Sequence, residues 1–395
     1  MKYPLVVQKF GGTSVGTIEK IQRVAEHIIK EKNSGNQVVV VVSAMSGETN
    51  RLMDLAKQID SVPTARELDV LLSSGEQVSM ALLAMALNKQ GYSARSLTGG
   101  QAKIVTDYQH NDATIISIDT SIIKELLAQD FIVIVAGFQG VNKSGDVTTL
   151  GRGGSDTSAV NLAGELQASE CQIFTDVDGI YTCDPNIVPD AKKIEVIDFA
   201  SMEVMACKGA KVLHLPSVQY AWKYNVPLRV LSTFNPSVGS LVKGNEPKRL
   251  VCGIAIQRDM YSIKISHDAY FNLEKQCQIL GIQIWGAIER KDWVNVVIKH
   301  EACAKLELTF GDRITNSEKV GLLTLVGQNV NSMLESSRVL LVEHDVEPIH
   351  YDLNRQSLTW VLSPESIDKA ANILHHAYFI STQAINYSSK QVYLG

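Results

Sequence analysis

"KFGGTSVG" (residues 9–16) follows the apolar run Leu5, Val6 and Val7 and runs into a segment where Ile18, Ile21, Val24, Ala25, Ile28 and Ile29 recur at helical spacing. Glycine lets a backbone turn sharply and approach a ligand closely, and a helix start presents unpaired N–H groups that attract anions. The strand–loop–helix junction therefore reads as a candidate phosphate cradle, although a glycine pair at such a junction also closes an ordinary tight turn. It is not a P-loop, which needs a Gly-Lys step before Ser or Thr, and it lacks the G-x-G-x-x-G dinucleotide fingerprint. If it holds phosphate, the lysine stands in front of the glycines.

The same alternation continues to about residue 245. The short runs Leu5–Val7, Val38–Val42, Phe131–Val135, Gln172–Phe174 and Pro227–Leu231 are candidate strands separated by amphipathic segments. That pattern predicts an α/β fold with a mostly parallel sheet sandwiched by helices. Small, polar or glycine-bearing stretches follow several strands: "KFGGTSVG", "SAMSGETN", "AGFQG" and "TDVDGIYTCDP". Ligands bind beyond the carboxyl ends of such strands, so four loops can line one crevice. "NPSVGSLVKGNEPKR", around residues 235–249, reads as a linker. Beyond it "VCGIAIQ", "YSIKIS", "VNVVIK", "KLELTF", "GLLTLVG" and "SLTWVLS" read as strands, with helices expected over Phe271–Leu280 and Ser366–His376. The tail is expected to form two small α+β modules. The predicted division is 1–245, 250–318 and 319–395.

A chain of 395 residues exceeds what one core usually serves. Its 45% apolar and 20% charged content is ordinary for a globular protein, and a net charge of −5 without a basic run argues against nucleic acid as a partner. Cys171, Cys183, Cys207, Cys252, Cys277 and Cys303 lie far apart with no C-x-x-C pair, which suits a reducing compartment and gives no zinc signature. The polar residues Gln8 and Lys9 interrupt the N-terminus before any signal-like apolar stretch, and no uninterrupted apolar run is expected to span a membrane. A cytoplasmic setting follows. His375 and His376 are read as part of a helix face.

The most informative stretch is "TLGRGGSDTSAVNLAGEL" (149–166), a glycine-rich turn with Arg152, Ser155 and Asp156 leading into a helix. Its helix start and arginine fork suit a carboxylate or phosphate. Ser43 and Thr49 can donate hydroxyl hydrogen bonds or simply close a turn. Glu76 reads as opening an apolar helix, where it either matches the helix dipole or holds an ammonium group. Asp176 and Asp178 form turns or face a nucleotide or Mg²⁺, and Lys211 is a surface lysine or a phosphate contact. Together these supply cations for phosphate, an arginine for an acid, a carboxylate for an amine and carboxylates for Mg²⁺. The set describes a kinase acting on an amino acid.

The order of "KFGGTSVG", "VVSAMSGETN", "SSGEQ", "AGFQG", "GRGGSDTSAV", "TDVDGIYTCDP" and "GAKVLH" closely resembles the aspartokinases of the amino acid kinase family. The tail resembles their paired ferredoxin-like ACT modules more loosely. The resemblance implies a carbamate kinase-like fold and phosphoryl transfer from ATP, with Mg²⁺, to L-aspartate, the first step toward lysine, threonine and methionine. It implies that Lys9 and Asp156 are catalytic, and that Ser43, Thr49, Glu76, Arg152 and Ser155 hold aspartate. Lys9, Gly11, Gly12, Thr13, Thr175, Asp176, Tyr181, Asn186 and Lys211 would contact ATP, and no residue is assigned to a metal. It further implies a homodimer or higher homo-oligomer through the ACT-like modules and a lysine or threonine effector.

Three departures stand out. Asn186 replaces an arginine common after "DP" in the family, and Leu215 replaces the usual proline after His214. Neither "SHDAYFNLEKQ" nor "VGQNVNSMLESS" carries the Pro-Gly step that usually opens an effector-binding ACT helix, so the pair is expected to serve mainly in dimerisation. With the tail read as these modules, no homoserine dehydrogenase is expected. The alternatives are a related amino acid kinase with another substrate and a non-catalytic amino acid sensor on a kinase scaffold.

Overall fold

Val38, Val39, Val40, Val41 and Val42 are each 0% exposed, which requires a strand covered on both faces. In the computed structural model, which describes residues 4–235, 237–245, 250–279, 282–289 and 291–381, the strand Gln37–Val42 lies inside an eight-stranded sheet. The strand order is Val196–Ile197, Ser240–Val242, Leu228–Ser232, Glu170–Thr175, Leu5–Phe10, Gln37–Val42, Ile132–Ala136 and Ala94–Leu97. Every neighbouring pair in this sheet is parallel except Leu228–Ser232 with Ser240–Val242. The predicted α/β fold and its five strands are present. The expected linker is corrected in part: Ser240–Val242 belongs to this sheet, folded back by Gly239 at φ +69°. Pro236 and residues 246–249 of that linker lie outside the described residues.

Chain contacts gather Met1–Ile180, Ile194–Glu203 and Lys211–Glu246 into one unit, and Tyr181–Lys193, Val204–Ala210 and Pro247–Gly395 into another. In the first, the helix Ile18–Asn33 starts at Thr17, whose side chain accepts a hydrogen bond from the Lys20 N–H. Its residues Ile21, Val24, Ala25 and Ile28 are buried against the sheet core that includes Phe10, Val40 and Ile134. The helix Ala65–Lys89 is 25 residues long and apolar enough to cross a membrane by length and composition, although Ser73, Ser74, Glu76 and Gln77 interrupt its apolar run. Half of its apolar window is buried in the protein, and it carries the buried carboxylates Asp69 and Glu76, so it is a core helix. A small four-stranded sheet of Ile115–Ile118, Ile104–Thr106, Gln139–Val141 and Val147–Thr149 was not foreseen.

The second unit holds a six-stranded antiparallel sheet ordered Gly286–Glu289, Val294–Lys299, Gly253–Ile265, Ile314–Val326, Ser357–Leu362 and His350–Asn354. The helices His267–Ile279 and His300–Phe310 contribute to one core, and Leu334–Glu343 and Ile367–His375 to another. This is the expected α+β arrangement, with two corrections. "VCGIAIQ" and "YSIKIS" fall in one strand, Gly253–Ile265, with a register shift between Gln257 and Met260. "KLELTF" is the end of the helix His300–Phe310 rather than a strand, because Ala302, Cys303, Leu306 and Phe310 bury one helical face while Leu308 is 90% exposed. Leu280 of one predicted helix, and residues 382–395 of the last predicted module, lie outside the described residues. His375 is buried, its Nε2 2.8 Å from the Thr182 hydroxyl.

Candidate active site

Lys9 is the penultimate residue of the strand Leu5–Phe10, in register with Val41 on one side and Ile173 on the other. Its ammonium nitrogen lies 2.6 Å from Asp156 Oδ1, and both side chains are largely buried. Asp156 is placed there by the first turn of the helix Gly154–Glu165, which begins after Gly153 in the left-handed conformation at φ +70°. No side chain caps this helix start, and a carboxylate in its first turn is favoured by the helix dipole. Ser158 Oγ accepts from the Phe138 N–H at 3.1 Å and donates to Gly154 O at 2.9 Å, tying this turn to the loop after Ile132–Ala136. The glycine loop comes equally close to the loop after Gln37–Val42. A Cβ on Gly12 would stand 2.8 Å from Ala44 O, so a side chain there would force the two apart.

Glu76 is 4% exposed, and its Oε1 accepts from the Ala44 N–H at 3.0 Å. Oε2 has no hydrogen-bond partner among the described residues. Burial pushes this carboxyl up to about 7, against the opposing pull of the Ala44 N–H. The expectation that Glu76 opens its helix is corrected: the helix starts at Ala65, so Glu76 sits in its interior and no dipole role remains. Gly75 marks close packing instead of a helix start, since a Cβ there would meet Ala44 Cβ at 2.9 Å.

These groups share a cleft of about 350 Å³. Among the predicted residues, Lys9, Gly12, Ser43, Thr49, Glu76, Ser155 and Asp156 line it. Gly11 is adjacent, its ideal Cβ position being 3.5 Å from the Lys9 nitrogen. Thr13, Arg152, Asp176 and Lys211 are exposed, and Thr175, half-buried, donates to Asp176 Oδ1 at 3.0 Å. None of these five is among the lining residues, although Gly151 and Gly153, on either side of Arg152, are. Tyr181 and Asn186 fall in the second unit, where Asn186 bonds to Asp184 Oδ1 through its backbone N–H at 2.9 Å and its side chain at 3.0 Å.

Nine lining residues were not named as site candidates; they lie in the quoted stretches, and the two with ring side chains that could shape the cleft are Phe138 and His214. Phe138 has a positive φ of 67°, which nothing in its apolar identity announces. His214 packs on Gly153 so closely that a Cβ there would fall 2.3 Å from its Cγ. Its sequence signal was the conjunction with a glycine-rich turn far along the chain, which spacing does not reveal.

Residues 4–232 match the amino acid kinase family. The aspartate kinase of Pseudomonas putida is 55% identical over 265 residues, covering 66% of this chain and 64% of that protein. The chain thus spans 64–65% of the length of the Pseudomonas relatives it matches. Aspartokinase 2 of Bacillus subtilis is 38% identical over 405 aligned positions, covering 95% of this chain and 98% of that protein. Aspartokinase III of E. coli, solved in complex with aspartate and ADP (R-state), superposes with a TM-score of 0.78 at 25% identity, over 94% of this chain and 99% of that one. The same protein in complex with lysine and aspartate (T-state) gives a TM-score of 0.77 at 25% identity, over 95% and 99%.

Proposed function

Because the chain belongs to the amino acid kinase family, in its aspartokinase branch, we propose that it transfers the γ-phosphoryl group of ATP to the side-chain carboxylate of L-aspartate, releasing ADP and 4-phospho-L-aspartate. The observation that carries this reading is the pairing, on one cleft, of a lysine clamped by an aspartate with a buried glutamate whose second oxygen lacks a partner among the described residues.

The acceptor carboxylate has an ordinary pKa of about 3.9 and is already ionised, so the reaction needs no general base. Its obstacle is repulsion between two anions. Lys9, fixed by Asp156, places a positive charge where the transferring phosphoryl oxygens would lie; the Gly12 N–H adds a donor beside it, while the Gly11 N–H is bonded to Phe174 O at 3.2 Å and Gly11 serves by letting the backbone pass close to the Lys9 nitrogen. At the other end of the substrate, ionised Glu76 meets the ammonium group, Arg152 takes a carboxylate, and Ser43, Thr49 and Ser155 supply hydrogen bonds. Thr13, Thr175, Asp176, Tyr181, Asn186 and Lys211 are assigned to the nucleotide. No cluster of three His, Cys, Asp or Glu residues forms a metal cage among the described residues. Mg²⁺ is proposed to be carried by the ATP phosphates with one protein carboxylate, for which exposed Asp176 is suited; the ion would offset phosphate charge.

The same reading divides the chain into a kinase domain over 1–245 and ACT-like modules over 250–318 and 319–395, assembled as a homodimer or higher oligomer in the cytoplasm. It places the reaction at the start of lysine, threonine and methionine synthesis. The test is ADP release from ATP and Mg²⁺ with L-aspartate or L-glutamate. Turnover with aspartate in preference to glutamate is expected, and turnover with neither would leave a non-catalytic sensor.

A further inference from the structure

Asp69 lies seven residues before Glu76 on the helix Ala65–Lys89, two turns away on the same face. It is 0% exposed, and burial of a carboxylate is tolerated when its oxygens are well satisfied. Here Thr149 Oγ1 donates to Oδ1 at 2.5 Å, the Asn111 N–H bonds to the two oxygens at 3.1 and 3.2 Å, and His110 Nδ1 lies 2.6 Å from Oδ2. One carboxylate thus gathers a helix, a loop and a strand end.

The chain leaves Thr149 directly for Leu150, Gly151 and Arg152. The loop held by His110 and Asn111 touches the same turn: Ala113 N–H donates to Thr149 O at 2.8 Å, and a Cβ on Gly151 would meet Asp112 Oδ1 at 2.7 Å. We propose that Asp69 is a positioning residue for the amino acid substrate, fixing the Gly151–Gly153 turn that carries Arg152 at a set distance from Glu76. The inference rests on the proposed aspartate-binding role of this cleft. Glu76 and Arg152 take opposite charges of one small molecule, so their separation decides its affinity. The nucleotide contacts assigned to the strand end at Thr175 and Asp176 do not depend on this clasp.

The test compares Asp69→Asn, Thr149→Val, Thr149→Ser and His110→Gln with the wild-type full chain, measuring KM for L-aspartate, KM for ATP, kcat and Tm. Thr149→Val is expected to raise KM for aspartate about tenfold while KM for ATP stays within about twofold, and Thr149→Ser, which keeps the hydroxyl, to restore it. Asp69→Asn should show a larger rise of the same selective kind; if it does not fold, Thr149→Val and its rescue decide. An unchanged KM for aspartate in folded Thr149→Val and His110→Gln overturns the proposal, as do parallel rises in both KM values. If the wild-type protein turned over no aspartate, the proposed function would fail, and calorimetric titration of L-aspartate into the same proteins would decide the role of Asp69 separately: a selective loss of binding in Thr149→Val supports it, and equal or absent binding overturns it.

Discussion

Glu76 Oε1 accepts the Ala44 N–H at 3.0 Å while Oε2, also buried, meets no donor among the described residues. One oxygen anchors the carboxyl to the loop after a central strand. The other is left to a ligand, and an ammonium group satisfies it with charge as well as a hydrogen bond.

From this follows a pH dependence. Burial holds the Glu76 carboxyl at about 7 in the free protein, against an ordinary 4.5, so the native state keeps its proton longer than the unfolded chain. Stability from this group is present below pH 4.5 and falls as pH rises toward 7, by about 3 kcal/mol in all. In the proposed binding mode aspartate needs the ionised form, so KM for aspartate should fall as pH rises through about 7. In Glu76→Gln both slopes should disappear, and KM should rise roughly a hundredfold with loss of the charge pair. Initial rates and urea melts across pH 5.5–8.5 measure both; a KM that ignores pH in the wild-type protein would contradict the assignment.

Lys9→Met should reduce kcat on the order of 10³-fold, since it removes the cation proposed to face the transferring group. It also strands Asp156 in a buried site, at a cost of roughly 3–5 kcal/mol. Adding Asp156→Asn should recover much of that stability and none of the turnover. Denaturant melts and ADP release on the two variants check this. Near-normal activity in folded Lys9→Met would refute the role of Lys9.

The central strands were legible because valine-rich runs covered on both faces have few other destinations. The cleft loops were legible for a related reason: glycines, hydroxyls and charges stood at the ends of those strands. The small four-stranded sheet was not, since its strands have only three or four residues and alternate weakly. "KLELTF" misled by showing period-two alternation of Leu306, Leu308 and Phe310 at the end of a helix. Glu76 was misplaced because "SSG" imitates a helix start, whereas Gly75 is there to let the helix approach Ala44. Asp69, His110 and Thr149 are scattered over 80 positions, and their meeting is a property of the tertiary fold.

Gly153→Ala tests the turn itself. The residue has φ +70°, and its missing Cβ leaves room for the His214 ring, which would otherwise be 2.3 Å away. The substitution should cost about 1–3 kcal/mol from backbone strain plus steric conflict, with activity falling as the helix start shifts. His214→Ala on top should remove the ring's share of the conflict and leave both the backbone strain and the 2.7 Å approach to the residue 214 Cβ, so the double variant should be more stable than Gly153→Ala alone but short of full relief. Thermal melts of the full cycle measure the coupling, and strict additivity would argue against direct contact.

Feedback control is predicted to be weak. At the first tail junction the helix His267–Ile279 opens with no Pro-Gly step, and at the second Asn329 takes a left-handed turn at φ +58° into the single 3-10 turn Val330–Met333 before the helix Leu334–Glu343. An effector carboxylate is commonly met by free N–H groups at a helix start. At the second junction a 3-10 turn precedes the helix, and the Ser332 N–H is already bonded to Asn329 O at 3.2 Å. Lysine and threonine should therefore change aspartate-dependent ADP release by less than about twofold, a differential affinity too small to shift a two-state equilibrium far. Sedimentation should show the same oligomer with and without them. Clear inhibition by either amino acid would mean that a site survives on another surface of the tail, and would remove the case for assembly as its main task.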